Sequence, residues 1–125
     1  MDDIKTFIRQ LNKTWQDKEY AELYNFFDQN VLMLLPGSTQ IVKGVDAMVE
    51  SFRQFNEMSK IHSFNVTDIT SFEFDDTIIC HMPFSIDYEI ESGRYQEKGM
   101  EIYTIMKTDV SFKIIWRTQI SLNSY

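Results

Sequence analysis

Along this chain the hydrophobic positions change their spacing once, near His62. Before that point they recur at three- and four-residue steps. Ile4, Phe7, Ile8, Leu11 and Trp15 form one apolar stripe, and Met48, Val49, Phe52 and Phe55 form another. That is the period of a helix with one buried face. The first stripe predicts a helix at the N-terminus, with Asp2 and Asp3 in the opening turn where carboxylates suit the helix dipole. The second predicts a helix from Val45 to about Asn56, entered at Gly44. Between them, Asp17 is placed to N-cap a short second helix carrying Tyr20, Leu23, Tyr24 and Phe27 along one side. Val31-Leu32-Met33-Leu34-Leu35 is a compact apolar run stopped by Pro36-Gly37, a length that suits a short buried strand. Residues 38–43 then give a turn and a second short strand.

From His62 the period is two. Phe64, Val66, Ile69, Phe72 and Phe74 predict a strand whose alternation slips once, as a bulge would make it. Asp75-Asp76 turns the chain into a long strand from Thr77 to Glu91, where Pro83 asks for a bend or an edge. Ser92-Gly93 is a hairpin turn. The chain returns from Arg94 to Lys107 and closes with Phe112 to Ser121. Helices followed by an antiparallel meander predict a single α+β domain over residues 1–125, its helices on one face of the sheet.

Composition narrows the function. A chain of 125 residues builds a core without metal or disulfide staples. Ten Phe and six Tyr are many for this length, so bulky side chains line a large core or a cavity. A formal net charge of -7 argues against a nucleic-acid partner, which needs clustered Lys and Arg. Cys80 stands alone, so no intrachain disulfide forms and a reducing compartment is expected. No apolar run reaches the length of a membrane span, and the acidic start Met1-Asp2-Asp3-Ile4-Lys5 is unlike a signal peptide. The expectation is a cytoplasmic protein with no membrane partner.

The element order, together with Leu35-Pro36-Gly37, Gly44-Val45-Asp46-Ala47-Met48 and the terminal Trp116-Arg117-Thr118-Gln119, resembles the nuclear transport factor 2-like superfamily, above all its SnoaL-like and ketosteroid-isomerase-like members. The resemblance covers essentially the whole chain. It implies a cone in which a bent antiparallel or mixed sheet wraps the N-terminal helices around a deep apolar pocket, and a homodimer through the outer face of the sheet. Met82-Pro83-Phe84-Ser85-Ile86 looks like a Met-Pro-Phe segment of a ketosteroid isomerase strand. Carried over, it turns Met82, Phe84, Ile86 and Tyr88 inward, followed by Ile102 and Thr104, then Arg117 and Gln119. Alternation then turns His81, Glu101, Tyr103 and Trp116 outward, and a one-residue slip would reverse the assignment. The pocket residues expected on this basis are Trp15, Phe27, Leu35, Phe52, Phe55, Phe84, Tyr88, Thr104, Arg117 and Gln119.

The same resemblance tests the chemistry. The ketosteroid isomerase base, helix tyrosine and late-strand acid fall on Leu35, Leu11 and Thr104, and two further pocket tyrosines fall on Phe27 and Phe52. None of these moves a proton, and only Thr104 carries a donor. No catalytic residue is therefore assigned. Two readings of Arg117 stay open: inward, where it needs an anion such as a ligand carboxylate, or outward, paired with Glu101 or Glu89. His81 becomes a general base only if it shares the pocket with Glu101; otherwise it is structural. Asp87, Glu89 and Glu91 alternate without a His or Cys to complete a metal set, so they read as a solvated strand end and no metal or other cofactor is expected. Cys80 reads as a small buried hydrophobe. The leading expectation is a protein that binds a hydrophobic or aromatic small molecule with a polar or carboxylate end. Its rivals are a cofactor-independent SnoaL-like isomerase, dehydratase or cyclase, and a structural dimerisation module with a collapsed interior.

Overall fold

The structure, a computed structural model, describes residues 2–123. The Asp2 side chain, expected to face the helix dipole, lies outside that description. Helix α1 (Asp2–Gln16) buries Ile4, Phe7, Ile8, Leu11 and Trp15, the whole of the predicted stripe. It ends in a Schellman motif: the Lys18 N–H donates to the Trp15 carbonyl at 3.3 Å and the Glu19 N–H to the Thr14 carbonyl at 3.1 Å. That motif needs a left-handed residue, and Lys18 supplies it with φ 62°. Asp17 thus belongs to the end of α1 and pairs with Lys13; it caps no second helix. Helix α2 (Tyr20–Leu23) is a single turn with no side-chain cap, and a 3-10 turn (Tyr24–Phe26) follows it. Phe27, expected on that helix, begins a strand instead.

The strands are β1 (Phe27–Leu34), β2 (Ile41–Lys43), β3 (Lys60–Val66), β4 (Thr70–Phe74), β5 (Thr77–Ile90), β6 (Gly93–Lys107) and β7 (Phe112–Ser121), and helix α3 (Val45–Met58) lies between β2 and β3. The seven-stranded sheet runs β2-β1-β7-β6-β5-β3, with β4 also on β5. β1 and β7 are parallel and the other pairs are antiparallel. The fold is α+β with a mixed sheet.

The stretch expected to be one bulged strand is two. β3 leaves β5 at Val66, opposite Phe84, and β4 joins it at Thr70, opposite His81. Pro83 explains the gap. Its carbonyl accepts the Thr67 N–H at 3.2 Å, so its missing N–H also points to that side of β5. A proline in a central strand is tolerated because its neighbour breaks there. A bulge does occur on β7. Thr104 pairs with Trp116 but Ile105 pairs with Ile114, so Ile115 is the extra residue. It lets Ile114 and Arg117 both face the helices although three positions separate them.

The core lies between α1, α3 and the inner face of the sheet, and includes Ile8, Leu11, Met48, Ile78, Ile105 and Ile114, all fully buried. Among the described residues no helix is long and apolar enough to cross a membrane.

Candidate functional site

The core is not solid. A cavity of about 450 Å³ sits between the helices and the sheet. Asn12 and Trp15 of α1 and Ser51, Phe52 and Phe55 of α3 cover it. Met33 of β1 and the following Leu35 close one side, and Phe64 of β3 the other. β5 contributes Met82, Phe84, Ile86 and Tyr88, the alternate residues predicted to point inward. The lining becomes exposed at Pro36, Lys98, Ser121 and Asn123, which marks the mouth, and is buried at Met82, Glu101, Tyr103 and Arg117, which marks the closed end.

Aromatic rings build the wall. Trp15 meets Phe64 edge-on at 5.2 Å, Phe52 at 5.9 Å and Phe55 at 6.4 Å between centroids. Phe64 stacks on Phe84 at 5.6 Å, and Phe55 meets Tyr88 at 5.5 Å. Such pairs hold large side chains in fixed positions around the hollow. Asn12 fixes the indole: its Oδ1 accepts the Trp15 Nε1–H at 3.0 Å, and its Nδ2 donates to the Ile8 carbonyl at 3.0 Å and to the Met82 sulfur at 3.1 Å. Gly99 is part of the wall because nothing larger fits: a Cβ there would lie 2.7 Å from the Phe84 ring.

Of the residues expected in the pocket, Trp15, Leu35, Phe52, Phe55, Phe84, Tyr88, Arg117 and Gln119 line the cavity. Phe27 and Thr104 do not. Phe27 is buried behind Phe52, its ring 6.1 Å from that of Phe52. Thr104 and Ile102 lie on the outer face, because the inward positions of β6 are Glu101 and Tyr103. The register leaves no choice: Glu101 stands opposite Met82 and Gln119, and Tyr103 opposite Cys80 and Arg117. Directly opposed residues share a face, so inward Met82 and inward Arg117 bring Glu101 and Tyr103 in with them. The outward placement expected for Glu101 and Tyr103 is thus corrected, while His81, opposite Ile102, is outward as expected.

The two readings of Arg117 merge. It faces the cavity, and its partner is Glu101. The guanidinium Nε donates to Oε2 at 2.9 Å and Nη2 to Oε1 at 2.8 Å, a bidentate fork. The side chains are 6% and 3% exposed, so the pair is desolvated. Gln119 Nε2 adds a bond to Oε1 at 2.8 Å. Arg117 Nη1 reaches the Met48 sulfur at 3.5 Å, and the guanidinium carbon lies 4.8 Å from the Phe52 ring centroid. Burial pulls the Arg117 value down, but the charge and hydrogen bonds of Glu101 outweigh it, and the net shift is upward. Arg117 therefore stays charged and needs no further anion.

Tyr103 is 2% exposed, and among the described residues its hydroxyl has no hydrogen-bond partner. Burial, helped by the charge of Glu101 and opposed by Arg117, raises this phenol well above its ordinary value, so it remains a donor at neutral pH. Near the mouth, Tyr88 donates to Glu97 at 3.0 Å, and burial with that bond pushes its phenol to about 12.

The other candidates stand apart from the cavity. His81 packs edge-on against Phe72 at 5.4 Å on the outer face, so the sheet separates it from Glu101. Asp87 is taken by Arg94 at 2.9 and 3.0 Å, which holds its carboxyl below the usual range, and Glu89 lies 3.1 Å from His62. Cys80 is buried, and burial pushes its thiol to about 11, out of reach of ordinary nucleophilic chemistry. Asn12, Ser51, Glu101 and Tyr103 are cavity residues that periodicity alone did not single out. The pairing of β6 with its neighbours was the signal for the last two.

No family model matches the chain, and no curated protein matches its sequence. Solved structures do match its fold. A nuclear transport factor 2-like protein of Cytophaga hutchinsonii is 14% identical, with 97% of each chain covered and a TM-score of 0.81. A ketosteroid isomerase-like protein of Erwinia carotovora atroseptica is 8% identical over 99% of this chain and 97% of that one, with a TM-score of 0.79. A protein of Catenulispora acidiphila in complex with S-DNPA is 10% identical over 96% and 91%, with a TM-score of 0.77. At such identities the likeness is one of fold.

Proposed function

We propose that this chain, which has the nuclear transport factor 2-like fold, binds a small hydrophobic or aromatic molecule in the cavity between its helices and its sheet. The observation that carries this reading is the hollow itself: about 450 Å³, walled by aromatic rings, open at one end and polar at the other. Ligand sites have this size and this mixture of surfaces. A collapsed dimerisation module would not keep such a space. The Catenulispora protein of the same fold in complex with S-DNPA lends support.

Binding is favoured over a SnoaL-like isomerase, dehydratase or cyclase by the proton-transfer groups. Such an enzyme needs a titrating base facing the substrate. His81 is on the far side of the sheet, Leu35 replaces the base of the ketosteroid isomerases, and Glu101 is held by three hydrogen bonds from Arg117 and Gln119. A homodimer through the outer sheet face fits the exposed Phe72, Phe74 and Met106 beside Ile102 and Trp116. Sedimentation as a monomer at micromolar concentration would reject that part. The free thiol of Cys80 suits a cytoplasmic setting.

Trp15 reports occupancy. Trp116→Phe leaves it as the sole indole, because the chain has two tryptophans. Titration with tetralin, a neutral bicyclic hydrocarbon, is expected to shift the Trp15 indole N–H resonance saturably. Ser51→Phe, which adds a ring to the hollow from α3, is expected to weaken that binding at least tenfold. No shift in the first protein, or an equal shift in both, defeats the reading.

A further inference from the structure

The closed end of the cavity has a polarity that selects its ligand. Its charges cancel: Arg117 and Glu101 are joined by two hydrogen bonds, and both Glu101 oxygens are in use once Gln119 has added a third. The carboxylate therefore has little left to offer a ligand donor, and the guanidinium has its counter-ion. The Tyr103 hydroxyl, engaged by no described residue, opens on the hollow at that end. It stands opposite Arg117 across the β6–β7 ladder, at the same end of the hollow. A donor that opens on a hollow of this size is available to an acceptor on the molecule that fills it.

Resting on the binding reading above, we infer that this end is a donor site for uncharged ligands: the Tyr103 hydroxyl hydrogen-bonds a neutral acceptor, such as a carbonyl or ether oxygen at the buried tip of the molecule, and a carboxylate is refused. Refusal follows from charge. An anionic tip would enter a closed end where the one cation already has a carboxylate, which leaves the site with an uncompensated negative charge. Attraction follows from the single donor. A site built to hydrogen-bond discriminates against an analogue without the acceptor, because its own group is then left unpaired.

The test uses three ligands of nearly one shape: tetralin, 1-tetralone and 1-tetralincarboxylate, each followed through the Trp15 indole resonance in the Trp116→Phe background. At pH 7 the ketone is expected to bind and the carboxylate to bind at least a hundredfold more weakly than the ketone. Tyr103→Phe, which removes one oxygen, is expected to lower the ratio of ketone to hydrocarbon affinity by about five- to tenfold. Glu101→Gln unmasks the Arg117 charge and is expected to raise carboxylate affinity at least tenfold. Tetralin binding with an unchanged ratio in Tyr103→Phe, or carboxylate binding as tight as ketone binding in the parent, overturns the inference and leaves the cavity as a site. The ligand comparison in the parent protein decides the charge half even if neither variant folds. If none of the three ligands binds, the binding reading falls and takes this one with it.

Discussion

Replacing Arg117 with methionine strands the Glu101 carboxylate at the closed end of the cavity, with Gln119 as its remaining partner. Replacing Glu101 with leucine strands the guanidinium instead. Each side chain is at most 6% exposed, so neither orphan regains full hydration. Breaking a buried pair from one side costs roughly 3–5 kcal/mol, because the remaining charge is left uncompensated. The adjoining hollow moderates this, since water can enter and reach the orphan, and about 3 kcal/mol is expected for each single change. That is a large part of the roughly 5–15 kcal/mol that holds a domain together. For a chain of this size it lowers the melting temperature by roughly 10 °C.

The double change, Arg117→Met with Glu101→Leu, removes both charges and fills the space with apolar atoms. Exchanging a buried ion pair for packed hydrophobic residues is often neutral or better. It is therefore expected to be milder than either single, with a coupling energy of about 3 kcal/mol or more. Urea unfolding of the four proteins at pH 7, followed by circular dichroism, measures the cycle. If the two single effects simply add, or if each single costs less than about 1 kcal/mol, the pair is not the desolvated unit described here.

Other residues give sharper, smaller readouts. Gly99→Ala brings a methyl group against the Phe84 ring and within 3.2 Å of the Ile120 carbonyl oxygen. It is expected to cost about 1–3 kcal/mol and to weaken tetralin binding, since the displaced ring moves toward the cavity; unchanged melting and binding would refute the close packing. Lys18→Gly relieves a left-handed φ of 62° at the end of α1 and is expected to gain roughly 0.5–1 kcal/mol, read as a higher urea midpoint. Cys80, with its thiol pushed to about 11 by burial, is expected to resist a disulfide reagent at pH 8 until urea unfolds the chain; prompt labelling of the native protein would contradict its burial. Tyr103 keeps its proton in the folded state well above the pH at which the unfolded phenol, near 10, loses it. Its contribution is complete below pH 10 and falls above it by about 1.4 kcal/mol per pH unit. Tyr103→Phe should flatten that alkaline loss, and an identical pH profile would remove the buried phenol from the account.

Which parts of this molecule could be read in advance depended on how many neighbours each reading required. The α1 stripe needed none. A helix with one buried face writes its period into its own residues, and Ile4 to Trp15 are buried as the spacing demanded. β5 was also legible, since Met82, Phe84, Ile86 and Tyr88 alternate cleanly inward. β6 was not, and the reason is instructive. Its outer face carries Ile102 while its inner face carries Glu101, the reverse of the usual binary pattern. A strand read alone therefore turns the wrong way. The inversion is sensible only in company: Glu101 is inside because Arg117 and Gln119 are, and Ile102 is outside on an apolar face shared with Trp116 and Phe72. Asp17 failed differently: a short polar residue suits a helix start, but here the helix is ended by the left-handed Lys18 after it, a residue type that does not announce such a turn. Local rules fail together at the closed end of the cavity, where an ion pair, a hydroxyl open to the hollow and a bulged strand meet. Departures of this kind gather where a fold has been adapted to a task. The same residues that defeated the strand reading are thus the ones whose exchange is expected to change what the cavity holds.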